Sequence, residues 1–233
     1  DADTPDGRIV AELSSFQLER VVELRPKVAV LLNVSPDHLD RYPNVADYAN
    51  AKARIFAAQR EGDHAVLPAR DSACRKLRPR RPGPAVHEFG VSGEVRLEGE
   101  VILDEVTGWR FPLAELALEG RHNQMNACAA VLAARLAGAS GDAMAASLRE
   151  VEGLPHRAQL VRTLDGVVYV DDSKATNVGA TVAALDGLAS PTRRAVLILG
   201  GVDKGGSYAP LGQRFLEVGR AAVEVLEAAG YRV

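Results

Sequence analysis

The chain has 233 residues, 47% hydrophobic and 25% charged. That excludes a disordered tail, a collagen-like fibre and a disulfide-stapled miniprotein, and it leaves room for one large or two small domains. A formal net charge of −3 gives no global attraction to nucleic acid or to an anionic bilayer, so neither is expected as a partner.

Ile9 to Leu13 and Lys27 to Asn33 read as buried strands around a short helix, Phe16 to Leu24, which makes a βαβ unit. Helical spacing follows over Val45 to Gln59, with Val45, Tyr48, Ile55 and Phe56 on one face, and His64 to Leu67 reads as a further strand. The basic, proline-bearing run Arg75 to Arg81 reads as a solvated loop. Glu94 to Leu97, Val101 to Asp104 and Trp109 to Leu113 read as small antiparallel strands, a β-rich insert. Helices are expected over Gln124 to Leu136 and Asp142 to Val151, and Gly153-Leu154-Pro155 then punctuates the chain as a domain boundary. Beyond it Val167 to Val170, Arg194 to Leu199 and Arg214 to Val218 read as strands, with helices at Val178 to Leu188 and Arg220 to Ala229. Tyr231 to Val233 reads as the start of one more strand, so the chain is expected to stop mid-fold. The class is α/β, a mostly parallel sheet followed by a second α/β layer.

Two cysteines, Cys74 and Cys128, lack metal-ligand spacing and make no disulfide framework, which points to a reducing compartment, the cytoplasm. The longest near-apolar stretch, Met125 to Ala137, is interrupted by Arg135 and is too short to span a membrane.

Ligands of open α/β sheets bind beyond the carboxyl ends of the strands. Four predicted strands end in polar runs: Glu12-Leu13-Ser14-Ser15, Asn33 to His38, Asp171-Asp172-Ser173-Lys174 and Gly200 to Gly206. One carboxylate at a strand end is usually a cap or a turn former; four such runs together indicate a site. Lys52, four residues after Tyr48 and four before Phe56, falls on an apolar stripe. Its ammonium either snorkels to water or turns inward, where desolvation leaves it neutral and reactive toward carbon dioxide. Asn123 and Asn126 share one side of a helix start; Asn123 serves as a cap, while the amide of Asn126 offers the donor and acceptor that an adenine edge requires. His156-Arg157 falls in the linker, where the arginine is an exposed charge or a phosphate contact.

The segments AELSSFQLE, LLNVSPDHLDRY, YANAKARIF, GRHNQMNACAA, LPHRAQLV, VDDSKATNVGATVAAL and GGVDKGG, in this order, resemble the Mur ligase family, the ATP-dependent amide ligases of peptidoglycan synthesis. LPHR and DSKATN resemble the member that adds D-glutamate to UDP-N-acetylmuramoyl-L-alanine. The resemblance implies that residues 1–153 are the latter part of a central ATP-binding domain and that residues 154–233 are an incomplete Rossmann-like domain. It also implies a UDP-sugar domain and a phosphate loop, G-x-x-x-x-G-K-[ST], which these 233 residues do not contain. The chain is therefore expected to be a fragment, inactive by itself, of a protein extending both ways.

By resemblance, Glu12 and His38 are Mg2+ ligands, Ser14 lies beside the substrate, and Lys52 carries a carbamate that orients a second Mg2+. Asn123 and Asn126 meet the adenine of ATP, and His156 and Arg157 its ribose or terminal phosphate. Asp172 and Lys174 reach the nucleotide from the other domain, while Thr176 and Lys204 hold the α-carboxylate of D-glutamate. His122, Asp171 and Asp203 match neighbouring positions without a role. The competing readings are another amide ligase of the family, with a different amino acid or folate, and a non-catalytic nucleotide-binding scaffold.

Overall fold

Val28–Val30 (β1), His64–Pro68 (β2) and Ala85–Gly90 (β3) pair in parallel, in that order, in a computed structural model. The structure describes residues 7–118, 120–188, 196–201, 207–218 and 222–225. Ala65, Val66 and Leu67 of β2 are all buried, as expected of a strand covered on both faces. The sheet continues through β4 (Val95–Glu98), β5 (Val101–Asp104) and β6 (Arg110–Pro112), with β5 antiparallel to both of its neighbours. The expected β insert is thus the far half of the main sheet, joined to it where Phe89 registers with Val95.

Five helices belong to this half: α1 (Ser15–Leu18), α2 (Val45–Ala53, prolonged by a 3-10 turn over Arg54–Phe56), α3 (Ser72–Lys76), α4 (Arg121–Leu136) and α5 (Gly141–Glu150). On one face of the sheet, Ala127, Cys128, Val131 and Leu132 of α4 pack with Val66, Phe89, Ile102 and Phe111, and Met144 and Leu148 of α5 close the layer. On the other, Phe56 and Cys74 meet Ala29, Leu31, Ala65 and Leu67. Each large apolar side chain buried this way contributes about 1.5–3 kcal/mol. Both cysteines are free and buried, and burial pushes each thiol up to about 12. Gly90 ends β3 at φ +112°, a conformation that favours glycine, and the flexible end of Met125 from α4 lies over it, 2.5 Å from where a Cβ would stand.

A chain of polar groups crosses the sheet from β2 to β5. His64 Nδ1 lies 3.0 Å from His87 Nε2, His87 Nδ1 lies 2.8 Å from Glu94 Oε1, and Arg135 joins Glu94 at 2.7 Å to Asp104 at 3.0 Å. Burial first, then His87 and the cations Lys27 and Arg135, hold the protonation of His64 below its ordinary range, against the pull of Asp63. The unfolded chain takes up that proton near pH 6.5, so the contribution of His64 is complete above this range and is lost as the pH falls through it and below. The urea midpoint should drop between about pH 7.5 and about pH 5.5, and His64→Asn should flatten the drop. An unchanged slope in the variant would contradict the assignment.

The second half opens with an antiparallel hairpin of β7 (Gln159–Leu164) and β8 (Val167–Asp171), which turns at Asp165 and Gly166, both at positive φ. It continues through α6 (Val178–Leu188), β9 (Val196–Leu199), α7 (Ala209–Val218) and β10 (Ala222–Val225), with β9 and β10 paired in parallel. Arg214 to Val218 is the end of a helix and not a strand, because Pro210 sits in a first helical turn, and the parallel partner of β9 comes only after that crossover. Within the expected helix Arg220 to Ala229, residues 222–225 form strand β10; its other residues, and the expected strand Tyr231 to Val233, lie outside the described residues. Ile9 to Leu13 is not a buried strand: Ile9 and Val10 are exposed, and the segment pairs with no strand among the described residues. The basic loop is shortened by α3, which takes in Arg75 and Lys76. Among the described residues no helix is long and apolar enough to cross a membrane.

Candidate active site

Beyond the carboxyl end of β1 the chain leaves the sheet, and Asp37-His38 bends under α1 and α2. His38 adopts φ +54°, a left-handed conformation sparsely used by side-chain-bearing residues. The Asp37 carboxylate supports it by accepting the His38 backbone N–H at 2.8 Å. The imidazole packs edge-on against Phe16 at 4.8 Å and near Tyr48 at 6.2 Å. Ser14 is the N-cap of α1: its hydroxyl oxygen accepts the Gln17 backbone N–H, and the Gln17 side chain accepts the Ser14 N–H, a capping box.

Lys52 is half-buried on α2, its Nζ 5.1 Å from the centre of the Tyr48 ring. Desolvation is the main cause that lowers its pKa from the ordinary lysine value, and Cys74, Asp37 and Glu12 act the other way. Glu12 and Asp37 therefore both lie within electrostatic reach of the ammonium, although Glu12 itself is exposed. Among the described residues no three His, Cys, Asp or Glu side chains gather into a set able to hold a metal. Glu12 and His38 belong to no such set, and the Lys52 amine is not an oxygen donor.

A cleft of about 400 Å³ opens alongside, across the carboxyl ends of β1, β2 and β3 and the first turns of α4. Asn33, Pro68, Asp71, Phe89, His122 and Asn126 are among its lining residues. Asn123 is not, and it does not cap α4 either: the helix starts at Arg121 with Gly120 as N-cap, so Asn123 is already inside the first turn. The lining is mixed: Leu32, Phe89, Val91 and Met125 are apolar, Asn33 beyond β1 and Asn126 on α4 carry amides, and Arg70, Asp71 and His122 add charged and polar groups.

His156, Arg157, Asp171, Asp172, Lys174 and Thr176 fall in the second half. His156 (φ +65°) and Ala158 (φ +44°) make a left-handed turn on either side of exposed Arg157. His156 Nδ1 lies 2.7 Å from Asp171 Oδ2, and the Ala158 N–H reaches Asp172 Oδ1 at 3.1 Å. The hydrogen bond with His156, followed by those with Ser173, holds the Asp171 carboxyl down to about 2. With Nδ1 engaged, Nε2 is the histidine nitrogen left for a ligand. Lys174 donates its backbone N–H to the His156 carbonyl, and Thr176 donates to Lys174; both side chains are exposed. Asp172 thus fixes the linker turn here. Lys204 and Asp203 lie outside the described residues.

The two groups of residues meet. Asn177 Nδ2 donates to Asp37 Oδ2 at 3.0 Å, and α6 runs beside α4. The sequence reading gave neither Asp37 nor Asn177 a role. Their signals were present, a carboxylate next to His38 and an asparagine immediately before a predicted helix.

The model of the Mur ligase middle domain matches residues 5–134, more than half of the chain. The chain belongs to the Mur ligase family. A UDP-N-acetylmuramoylalanine–D-glutamate ligase of Anaeromyxobacter dehalogenans is 45% identical over 221 residues, covering 89% of this chain and 48% of that protein. A protein of the same name from Pelotomaculum thermopropionicum is 39% identical, covering 97% of this chain and 50% of its own length. The chain spans about half the length of these curated Mur ligase relatives. Among solved structures, the MurF ligase of Thermotoga maritima in complex with ADP superposes with a TM-score of 0.66 at 24% identity, covering 88% of this chain and 50% of that one. A pseudomurein peptide ligase type C from Methanothermus fervidus does so with 0.59 at 16% identity, over 74% of this chain and 43% of its own. These two likenesses bear on the fold, which is the expected α/β one.

Proposed function

We propose that this chain is the catalytic portion of an ATP-dependent ligase that joins D-glutamate to the carboxylate of UDP-N-acetylmuramoyl-L-alanine in peptidoglycan synthesis. What carries this reading is identity of 39% and above, across both halves of the chain, to curated ligases of that name. Residues 1–153 would form the ATP-binding part and 154–233 the amino-acid part. The two free, buried cysteines support a cytoplasmic setting.

In the proposed reaction a carboxylate oxygen of the nucleotide-peptide attacks the terminal phosphorus of ATP, and ADP leaves. The amine of D-glutamate then attacks the acyl carbon, and phosphate leaves with the acyl oxygen. Negative charge grows on phosphoryl oxygens throughout, so the site must place opposite charge there in advance. Glu12, His38 and carbamylated Lys52 would hold Mg2+, which supplies that charge. Asn126 and Asn123 would meet adenine from α4, and His156 Nε2 with Arg157 the ribose or terminal phosphate. Lys174 and Asp172 would complete the nucleotide side, Ser14 would lie along the acceptor, and Thr176 with Lys204 would take the α-carboxylate of D-glutamate.

An amino-acid panel tests the substrate assignment. In the full-length enzyme with the UDP-muramoyl-alanine acceptor, D-glutamate should trigger ADP release while L-glutamate and L-lysine should not. Equal rates with L-lysine would defeat it.

A further inference from the structure

Among the contacts between the two halves, one hydrogen bond ends on the carboxylate that also supports His38. Asp37 Oδ1 accepts the backbone N–H of His38 at 2.8 Å, and Oδ2 accepts Asn177 Nδ2 at 3.0 Å. Asn177 is held on its other side by α6: its Oδ1 caps the helix by accepting the Ala180 N–H at 2.8 Å, and its carbonyl accepts both the N–H and the hydroxyl of Thr181. These contacts fix the amide orientation, since only Nδ2 can donate to a carboxylate and only Oδ1 can accept from a backbone N–H. The surrounding surfaces are close, because a Cβ on Gly179 would stand 3.4 Å from Ser35 Cβ and Oγ. Thr176 immediately precedes Asn177, so a short covalent path connects the bridge to the segment 172–177.

We propose that Asp37 and Asn177 are positioning residues that hold the amino-acid side of the site in register with His38. The inference rests on the ligase reading, because it is that reading which gives His38 and Thr176 their ligands. The bridge transmits placement in both directions. Losing it frees the left-handed His38 backbone from its acceptor and lets the Thr176 segment drift from the acyl carbon. Positioning errors of this kind act on the attack of the second substrate, which must approach the acyl carbon in line.

A donor swap tests it. Asn177→Asp keeps the helix cap, since aspartate caps as well as asparagine, but it sets two carboxylates against each other. Asp37→Asn cannot accept from both His38 and Asn177. The double variant Asp37→Asn/Asn177→Asp restores both hydrogen bonds with the donor reversed: the new amide at 37 donates across the bridge and still accepts the His38 N–H. In the full-length enzyme each single variant should lower kcat about tenfold or more at saturating substrates, and the double variant should recover most of the loss. Hydrogen exchange on the ligand-free protein reads the bridge without catalysis: the His38 amide should exchange faster in each single variant and slow again in the swap. A swap no better than the worse single variant in exchange overturns the bridge. A swap that slows His38 exchange again but recovers no turnover overturns the positioning role. A wild-type enzyme that protects His38 but ignores D-glutamate overturns the ligase reading instead.

Discussion

Replacing Lys52 with alanine in the full-length enzyme will remove most of its turnover, about a hundredfold or more, and arginine will not restore it. The expectation follows from where the ammonium lies. It is half-buried over the Tyr48 ring, desolvation favours its neutral form, and the neutral amine is the form that adds carbon dioxide. A carbamate there would supply the oxygen donor that the proposed magnesium needs, within electrostatic reach of Glu12. Arginine separates this account from a purely structural one. Guanidinium keeps the stem, the charge and the cation–π contact with Tyr48, yet it stays protonated and cannot be carbamylated. Were Lys52 only covering apolar surface, Arg would be nearly silent and Ala would lower stability by about 1 kcal/mol. A short carboxylic acid added to the Ala variant should recover part of the rate. Near-normal turnover by Lys52→Arg would reject the carbamate.

The largest effect on stability should come from Arg135→Met, at about 3–5 kcal/mol, a large part of the 5–15 kcal/mol that holds an ordinary domain together. Asp104 is 0% exposed, and Arg135 is the cation beside its Oδ2 at 3.0 Å. The two atoms are not aligned as a hydrogen bond, so the attraction is ionic. Removing the guanidinium leaves that charge buried and also releases Glu94. Removing both charges with Arg135→Met/Asp104→Leu should cost much less than Arg135→Met alone, because a desolvated pair gains little over apolar packing of similar volume. Denaturant unfolding of the cycle measures this. A single variant within about 1 kcal/mol of the parent protein would contradict it.

Legibility in the sequence followed physical locality. Parallel strands buried on both faces appear as unbroken apolar runs, so β1, β2 and the helix α4 could be read with only their ends displaced. β7 was missed although Asp165-Gly166 is a strong two-residue hairpin signal, because its residues are exposed on both faces and carry no clear alternation. The helix–strand exchange after residue 209 arose where short apolar runs fit either period and Pro210 was the deciding mark. At the site, Lys52 stood out as a cation on an apolar stripe. The chain from His64 to Asp104 could not be seen, since its members come from four strands or turns and one helix, and only the folded sheet aligns them. The same holds for Asp37 and Asn177, 140 positions apart.

The most direct measurement labels the acceptor. UDP-N-acetylmuramoyl-L-alanine carrying oxygen-18 in its carboxylate, incubated with the full-length enzyme, ATP and D-glutamate, should yield the D-glutamyl amide together with inorganic phosphate that has gained one labelled oxygen, because the acyl oxygen departs with the phosphoryl group. Amide formed with unlabelled phosphate, or no ATP-dependent amide with D-glutamate at all, would contradict the account.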